Sequence, residues 1–472
     1  MIAIIEKVYQ FLWGDWIVLP LPGGSSFRLS LLVLILIPAG IWFTIRTKFL
    51  PIRLFPDMLH ALFEKKGKEE GESHNSTLSA LQTLIVSTAT RVGMGNLVGV
   101  VAAISAGGAG AVFWMWVTAL IGSSTAFVEA TLAQIYKEKD PVYGGYRGGP
   151  AYYMHRFIQE KRGGKKKRYV GISVLFAISG LICWCGISQV ISNSVTSAFH
   201  NAFHIPPIYT TVILVALAAV IIFRKTATVK VLDVLVPVMA GCYFLITVIL
   251  ICMNFSALPG VFSKIFEEAF GIRQAVAGGL GTVVMNGVKR GLFSNEAGSG
   301  SAPCAAAAAE SDQPVKLGLT QALGVFIDTI VICSCTAMIM LLTPESLTEG
   351  AVGMELLQVA MGYHLGQFGV IFIAATLWLF SFSTFLGILY YARSNISYLF
   401  GDGMLPQNLY KALALVMMFV GGLAAYTVVW DLGDVGVGLM TVFNIIMLYP
   451  MSGIAMKALK SYETEKKNRK KG

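Results

Sequence analysis

The chain has 472 residues, of which 55% are hydrophobic and only 13% are charged, and it carries a net charge of +10. About a quarter of the residues in ordinary soluble domains are charged, so this composition excludes a soluble globular protein. The basic excess does not indicate a nucleic-acid partner, because most lysines and arginines lie in loops between apolar runs, where membrane orientation explains them.

Apolar stretches of about 20 residues recur from Ser30 almost to the C-terminus, and each can cross about 30 Å of hydrocarbon as a helix. The run at 31–38 is apolar on every side, whereas a membrane β-strand alternates apolar and polar residues. We therefore predict an all-α polytopic membrane protein with eleven transmembrane helices. They cover residues 29–49, 79–105, 109–136, 168–199, 207–223, 230–254, 274–301, 316–343, 365–395, 408–430 and 434–457.

The basic residues are concentrated in alternate loops, at 50–78, 137–167 and 224–229 and after 457. In the intervening loops, the only lysine or arginine residues are Lys264 and Arg273. By the positive-inside rule, the basic loops and the C-terminus are cytoplasmic and the N-terminus lies outside. Residues 1–27 lack a signal-peptide pattern, so we expect the first run to remain as a helix. The basic cytoplasmic tail at 458–472 is expected to be disordered.

The cysteines and histidines do not suggest a reactive centre. The seven cysteines lie in or beside apolar runs and are odd in number, so we expect no disulfide framework. The six histidines lack the spacing of a metal site, and we expect no metal cluster and no organic cofactor. Neither set indicates the nucleophile with a nearby base that a membrane enzyme needs.

The second apolar run contains residues that helices disfavour. Gly93, Gly95 and Gly99 surround Asn96 near its centre, and each glycine costs roughly 1 kcal/mol relative to alanine inside a helix. Gly95 and Gly99 alone would also suit close helix packing. Asn96 beside a Gly-x-Gly pattern favours an unwound centre.

The seventh run is less helical still, since residues 285–303 place Lys289, Arg290 and Glu296 in a predicted span. An unpaired charge there costs at least about 2.5–3.5 kcal/mol, so these groups must pair or line a water-filled cavity. We expect pairing and gating within the cytoplasmic half of the membrane. Direct contact with a substrate is the alternative.

Two further acids, Glu129 and Asp328, also lie in apolar runs. We expect each of them to pair with a neighbouring helix or with Arg91. Alternatively, either acid is a protonation site, and the protein then couples transport to protons.

The two interrupted helices are five helices apart and cross the membrane in opposite directions. This arrangement is expected of two five-helix repeats with inverted topology, with a substrate near the midplane where the broken helices meet. The repeats would cover 79–254 and 255–457, after an extra helix and a cytoplasmic loop at 1–78. Free amides at a half-helix N-terminus attract a carboxylate, and free carbonyls at the opposing end can hold Na⁺ or an ammonium group. An amino-acid zwitterion fits such a site.

Four segments carry a family resemblance, namely 92–99, 107–116, 148–153 and 291–298. They resemble the alanine/glycine:cation symporter family, also called sodium:alanine symporters, and the Ser-Asn-Glu-Ala-Gly block in the last segment is quite specific. The resemblance implies the inverted-repeat fold of the leucine transporter superfamily, with one extra N-terminal helix and with core helices 1 and 6 discontinuous. Met94 and Arg393 depart from many relatives, which have threonine and an acid in those regions.

The resemblance also implies a sodium site between core helices 1 and 8. Its ligands would be the carbonyls of Ala89, Val92 and Phe380 and the hydroxyls of Ser383 and Thr384. The residues themselves agree, because two adjacent hydroxyls in an apolar run offer hard oxygen ligands facing a broken helix. Alternatively, both hydroxyls bond to backbone carbonyls one turn earlier.

The substrate site implied by the resemblance has two main faces. Core helix 1 contributes Gly93, Gly95 and Asn96, which receive the carboxylate, and core helix 6 contributes Thr282, Met285 and Asn286. On core helix 3, Gln189 offers a donor and an acceptor, and Trp378 on core helix 8 closes one wall. The alternatives are a helix-to-helix hydrogen bond for Gln189 and generic packing for Trp378.

Gly186 lies one turn before Gln189 on the same helix face and adds no side chain there. The pocket is therefore expected to accept a side chain larger than that of alanine. We predict a monomeric symporter that imports alanine or glycine, with serine and glutamine as further candidates, together with Na⁺ across a prokaryotic plasma membrane. Proton coupling is the alternative within transport, and a membrane-embedded enzyme or a channel are alternatives outside it.

Overall fold

The computed structural model describes residues 2–20, 26–63, 93–164, 168–223, 227–272, 279–309, 311 and 313–469. Most of these residues form helices, which we number in chain order. The helices are α1 (Ile2–Trp13), α2 (Leu31–Arg46), α3 (Leu50–Arg53), α4 (Phe55–Phe63), α5 (Gly95–Gly107), α6 (Gly110–Ile135), α7 (Pro150–Lys161), α8 (Gly171–Phe203), α9 (Pro207–Phe223), α10 (Ala227–Met253), α11 (Leu258–Ala269), α12 (Gly279–Asn295), α13 (Ala302–Ala308), α14 (Pro314–Leu341), α15 (Glu345–Thr348), α16 (Met354–Phe400), α17 (Met404–Leu423) and α18 (Tyr426–Arg469). Two antiparallel hairpins pair β1 (Ile17–Pro20) with β2 (Ser26–Leu29) and β3 (Glu138–Lys139) with β4 (Tyr146–Arg147).

Within these ranges, six helices are long and apolar enough to cross a membrane: α6, α8, α14, α16 and the larger parts of α10 and α18. Three shorter apolar helices are α2, α5 and α9. With α12 and α17 included, each predicted run overlaps a helix. A largely helical, multi-pass membrane protein is thereby confirmed, while the count of eleven transmembrane helices stays a prediction.

At one end of the bundle, which we call the basic end, lie α3, α4, α7, α13 and the C-terminal ends of α2, α6, α16 and α18. There Arg53 forms a salt bridge of 2.7 Å with Glu463, and Lys137 Nζ donates to the carbonyl of Ala309 at 3.1 Å. At the opposite end, Trp114 Nε1 of α6 donates to the carbonyl of the last residue of α11 at 3.0 Å.

The tail expected to be disordered is helical as far as the structure describes it, since α18 runs to Arg469. Between 457 and 469 there is no glycine or proline to end the helix. Leu459 is buried, and Lys466 forms a salt bridge with Asp57 of α4. The expectation of disorder is wrong because the charged residues of this segment find partners on α3 and α4.

Arg393, one of the departures from the family pattern, lies at the basic end of α16. It forms a salt bridge with Asp140, and its guanidinium lies 3.5 Å from the ring centre of Tyr143. Burial raises the pKa of the Asp140 carboxyl, but hydrogen bonds from Arg393 and from the amides of Val142 and Tyr143 leave that pKa below its ordinary value. The arginine therefore stabilises the loop between α6 and α7.

The helix contacts follow a regular scheme. Helix α5 packs against α12, α6 against α14, α8 against α16, and α9 against α17. Helix α8 also packs closely on α17 and α18, where Cβ atoms added at Gly421 and Gly436 would lie 2.3 Å from the Cα atoms of Gln189 and Cys183. Small residues therefore let these backbones approach as membrane helices commonly do.

Candidate functional site

The seventh predicted run is interrupted between α12 and α13. Helix α12 continues past Asn286 and ends at Asn295, and α13 begins at Ala302. In between, Glu296, Gly298 and Gly300 have φ values of 56°, 94° and 83°. Glycine adopts such angles readily, whereas a residue with a side chain pays roughly 1–2 kcal/mol. The interruption therefore lies in the Ser-Asn-Glu-Ala-Gly-Ser-Gly segment, after the position at Asn286 where we expected free backbone groups.

The second predicted run is described from Gly93 onward. Gly93 and Met94 precede the first turn of α5, which has the wider π-helical geometry over Gly95–Gly99. Asn96 folds back, and its Oδ1 accepts the amide of Gly93 at 2.9 Å. The amide of Met94 donates to Thr384 Oγ1 on α16 at 3.2 Å. The start of α5 is therefore held by side chains.

A buried polar network joins the start of α5 to the end of α12 through α14. Asn96 Nδ2 donates to Asp328 Oδ1 at 2.7 Å, and Ser294 Oγ donates to Asp328 Oδ2 at 2.8 Å. Thr329 donates to the same carboxylate at 2.9 Å, and Thr336 donates to the carbonyl of Asn96 at 2.8 Å. Asn96 and Asp328 have no exposed surface. Both ends of the Asn96 amide, which we expected at a substrate carboxylate, are thus engaged by the protein in this closed arrangement.

A cavity of about 20 Å³ lies where the start of α5 meets the end of α12. It is lined by Met94 and Gly95 of α5, Phe293, Ser294 and Glu296 of the α12 end, Ile187 of α8, and Thr384, Ile388 and Tyr391 of α16. A space of this size holds about one water molecule. The structure is therefore closed around a position that must widen before it can admit an amino acid.

Among the predicted core-helix 1 residues, Gly95 lies on this cavity, and Gly93 is next to it in the chain. A Cβ at Gly95 would lie 3.4 Å from the Cα of Ser294, and one at Gly99 would lie 3.4 Å from the ring of Phe293. Both glycines therefore also serve the close packing of α5 on α12, which was the alternative interpretation.

The predicted residues of core helix 6 lie away from the cavity, toward the opposite end. Asn286 Nδ2 donates to the carbonyls of Thr282 at 2.9 Å and of Ala106 at 3.4 Å. Met285 is partly buried and packs against the main apolar core. In this arrangement, these residues join α12 to the end of α5.

The predicted contributions of core helix 3 differ from the observed packing. The space expected beside Gly186 is filled, because a Cβ there would lie 2.2 Å from the amide of Gly433 on α18. Gln189 Nε2 lies 3.5 Å from the sulfur of Met417 on α17, which matches the helix-to-helix alternative. Ile187, which faces the cavity, was missed, since a periodicity alone does not reveal which face of an all-apolar helix meets α5.

The residues predicted around sodium are only partly described. Thr384 lies on the cavity and contacts the start of α5, while Ser383 and Phe380 are buried on the same helix. Ala89 and Val92, like Arg91, lie outside the described residues, so the sodium ligand set stays a prediction. Trp378 packs with Phe199, with ring centres 4.9 Å apart, as its packing alternative expects.

The intramembrane charges Lys289 and Arg290 share one carboxylate. Arg290 binds Asp434 of α18 with both terminal nitrogens, at 2.9 and 3.0 Å, and Lys289 Nζ lies 3.1 Å from the same group. Lys289 also donates to Tyr9 OH at 2.9 Å, which brings in α1. The predicted pairing is confirmed. Asp434 lies near the start of α18, toward the end opposite the basic loops, whereas we expected this pairing on the side of those loops.

Glu129 of α6 binds the segment between α12 and α13. Its Oε2 accepts the amide of Gly298 at 3.1 Å, and its Oε1 accepts from Asn444 of α18. Asn444 in turn donates to the carbonyl of Gly298 at 3.0 Å. Glu129 and Asn444 therefore fix the backbone between α12 and α13, and the predicted pairing with Arg91 lies outside the described residues.

Comparison with known proteins shows which chains this one is similar to. The model of the sodium:alanine symporter family matches residues 23–472. The "Probable sodium/glutamine symporter GlnT" of Bacillus subtilis is 42% identical over 93% of this chain and 89% of its own. The sodium/alanine symporter AgcS of Methanococcus maripaludis is 32% identical over 100% and 99%, and the sodium/proton-dependent alanine carrier of Bacillus sp. PS3 is 33% identical over 85% and 91%.

Among solved structures, a variant of the Eremococcus coleocola manganese transporter aligns with a TM-score of 0.50. The alignment covers 82% of this chain and 81% of that one at 12% sequence identity. At this identity the likeness concerns the fold alone, and it places the helices described above in the arrangement of a membrane transporter.

Proposed function

Because this chain belongs to the sodium:alanine symporter family, and is thus an amino-acid:cation symporter rather than an enzyme, we propose that it imports a small neutral amino acid together with Na⁺. The preferred substrates are alanine and glycine, with serine and glutamine as further candidates. The protein acts in a prokaryotic plasma membrane by alternating access. The observation that carries this proposal is the meeting of the start of α5 and the break after α12 at one cavity beside Thr384.

We also propose the leucine-transporter-like architecture, in which α5, α6, α8, α9 and α10 form one five-helix repeat and α12, α14, α16, α17 and α18 form its inverted copy. Corresponding helices of these two sets contact each other in four cases, as expected near a two-fold axis in the membrane plane. Helix α7 follows the second helix of the first repeat at the basic end. The segment at 345–365 follows the second helix of the other repeat at the opposite end, which suits the same axis.

The basic end is proposed to face the cytoplasm. The positive-inside rule places loops rich in lysine and arginine there, which puts the N-terminus outside and the C-terminal part of α18 inside. The cluster of Lys289, Arg290 and Asp434 then lies toward the outer side, and we assign it to closing that side.

Binding of a zwitterion follows from the polarity of the helix ends. The start of α5 presents the positive end of a helix dipole at Gly95, and the C-terminus of α12 presents a negative end at Asn295. A small amino acid lying between them would direct its carboxylate toward α5 and its ammonium group toward α12. In this proposal, the two helix ends recognise the charges common to all amino acids, and the cavity walls select the side chain.

Sodium would act on substrate binding through the backbone at the start of α5. A sodium ion bound between α5 and α16 would order the segment at Gly93–Gly95 and so raise the affinity for the carboxylate, and linkage makes this effect reciprocal. At a membrane potential near 100 mV, each entering charge contributes about 2.3 kcal/mol to accumulation. Replacing Ser383 and Thr384 together by alanine is expected to raise the sodium concentration required for half-maximal uptake.

The proposal is tested with the purified protein in proteoliposomes. Uptake of radiolabelled alanine should vanish when the sodium gradient is removed, and sodium-independent uptake would reject sodium coupling. A panel of unlabelled amino acids competing against alanine and glutamine, with and without sodium, would identify the preferred substrate.

Side-chain selectivity is assigned to Ile187 in place of Gly186. Ile187→Ala enlarges the cavity and should raise the uptake of glutamine relative to alanine by at least about tenfold, since a methylene or two changes discrimination by that order. Ile182→Ala, on a different face of α8, is the matched control. An unchanged ratio for Ile187→Ala would move the selectivity elsewhere.

Proton coupling is the second candidate, because Asp328 and Glu129 are buried acids that bind the start of α5 and the segment after α12. A relative of this chain is also named as sodium/proton-dependent. An imposed pH gradient that drives alanine uptake without sodium would select this coupling.

A further inference from the structure

Glu296 occupies an unusual backbone position at the end of α12. Its φ of 56° is left-handed, whereas the other left-handed residues of this segment are the glycines Gly298 and Gly300. A strained residue with a side chain persists where the surrounding structure over-determines it, and such residues cluster at ligand sites. The backbone would accept glycine at 296 with less strain, so the carboxylate must serve a purpose that glycine cannot.

The side chain of Glu296 lies on the cavity between the start of α5 and the end of α12. Of the described residues that line this cavity, Glu296 alone carries a carboxylate, and it lies across from Met94 and Gly95. Tyr391 OH donates to Glu296 Oε2 at a long 3.3 Å. Most of the remaining wall is apolar, from Ile187, Phe293 and Ile388.

The helix ends make the two sides of the cavity electrostatically unlike. The C-terminus of α12 carries partial negative charge, to which the Glu296 carboxylate adds a full one, and the start of α5 carries partial positive charge. A ligand that fits has an anionic group on the α5 side and a cationic group on the Glu296 side.

We propose that the Glu296 carboxylate binds the α-ammonium group of the transported amino acid. This inference rests on the proposed function and names the side chain that recognises one charge of the substrate. With the ammonium group on Glu296 and the carboxylate at the start of α5, the substrate side chain points toward Ile187, Phe293 and Ile388. Tyr391 is a positioning residue that orients the carboxylate.

The test measures alanine uptake by Glu296→Gln in proteoliposomes at saturating sodium. The KM for alanine should rise at least thirtyfold, because the neutral amide keeps the shape and loses the charge, while the sodium concentration for half-maximal uptake should change less than twofold. Glu296→Asp keeps the charge and should recover part of the affinity. Glu349→Gln, an exposed acid at the opposite end, is the matched control and should match wild type.

Tyr391→Phe offers a second test that leaves the carboxylate in place. Its KM for alanine should rise about threefold, and its maximal rate should stay near that of wild type. An unchanged alanine KM in Glu296→Gln would overturn the inference, as would a change confined to the sodium requirement, which would assign the carboxylate to sodium. If wild type itself shows no sodium-driven amino-acid uptake, the proposed function fails instead, so the two failures are distinguishable.

Discussion

Two buried charged regions involve the same helix, α12, and differ in how their charges are balanced. Toward the outer side in the proposed orientation, Lys289 and Arg290 share the carboxylate of Asp434, and the guanidinium lies 3.8 Å from the ring centre of Trp430. Deeper in the bundle, hydroxyl and amide donors surround Asp328. The first region contains formal ion pairs, and in the second the carboxylate accepts hydrogen bonds from Asn96, Ser294 and Thr329.

The difference suggests different tasks during transport. An ion pair between α12 and α18 can exchange its partner for water when the outer side opens, because each charged group is well solvated outside the protein. The Asp328 network joins α5, α12 and α14 by short bonds from Asn96 and Ser294, and a group left unsatisfied there would be costly. We therefore assign the ion pair to a contact that breaks in each cycle and the network to one that stays formed.

The largest expected effect is that of Asp434→Asn. Removing the carboxylate leaves two buried cations without their shared partner, and breaking a buried pair in this way costs about 3–5 kcal/mol. Thermal unfolding of the purified protein should show a marked loss of stability. Asp431→Asn, an exposed acid on the same helix, is the control, and equal stabilities of the two variants would refute the assignment.

The second-largest effect is expected for Asn96→Leu. The change removes the acceptor of the Gly93 amide and the donor to Asp328, leaving buried groups unsatisfied at a cost of about 3 kcal/mol. Alanine binding should be abolished, because the start of α5 loses its order. Equilibrium binding of radiolabelled alanine measures this, and binding retained at wild-type affinity would contradict the role of the network.

Asp328→Asn should have a smaller effect, about 1 kcal/mol. The new amide can still accept from Asn96, and the hydroxyls of Ser294 and Thr329 can rotate to accept from it. Alanine uptake should therefore persist with its sodium dependence intact. Loss of uptake with preserved folding would show that the charge of Asp328 matters, and would favour proton coupling.

The smallest effect is expected for Arg53→Gln at the basic end. Its salt bridge with Glu463 is about one third exposed on both sides, and such surface pairs contribute at most about 1 kcal/mol. Unfolding temperature should fall only slightly, and the small loss should diminish further in high salt. If Arg53→Gln lowered the unfolding temperature as much as Asp434→Asn does, the proposed difference between exposed and buried ion pairs would be refuted.

Much of the fold was predictable from the chain because membrane helices are encoded locally. Each predicted run overlaps a helix, since about 20 apolar residues can meet the bilayer requirement without reference to any other segment. The pairing of Lys289 and Arg290 was predictable from the cost of lone charges in hydrocarbon. Their partner Asp434 was not, because it lies far away in the chain, at the first position of an otherwise apolar run.

The site was predictable in type but not in detail. Gly95 and Thr384 both line the cavity, yet Gly186 faces Gly433, and Asn286 lies within an unbroken helix. Helix wheels of mostly apolar segments contain little directional information, so the inward face of α8 depends on which helices pack against it. The signal that pointed to Glu296 was present, as a charged residue in a span between glycines.

By itself, the sequence determined the membrane class, the positions of the runs and the two segments that helices tolerate poorly, because hydropathy and backbone preference are properties of neighbouring residues. Only the tertiary structure decided that the second break falls at Glu296, that Asn96 is held by Asp328, and that Ile187 faces the cavity. Those outcomes depend on which faces of distant helices come into contact, and close packing selects one combination of faces among many that the apolar pattern allows.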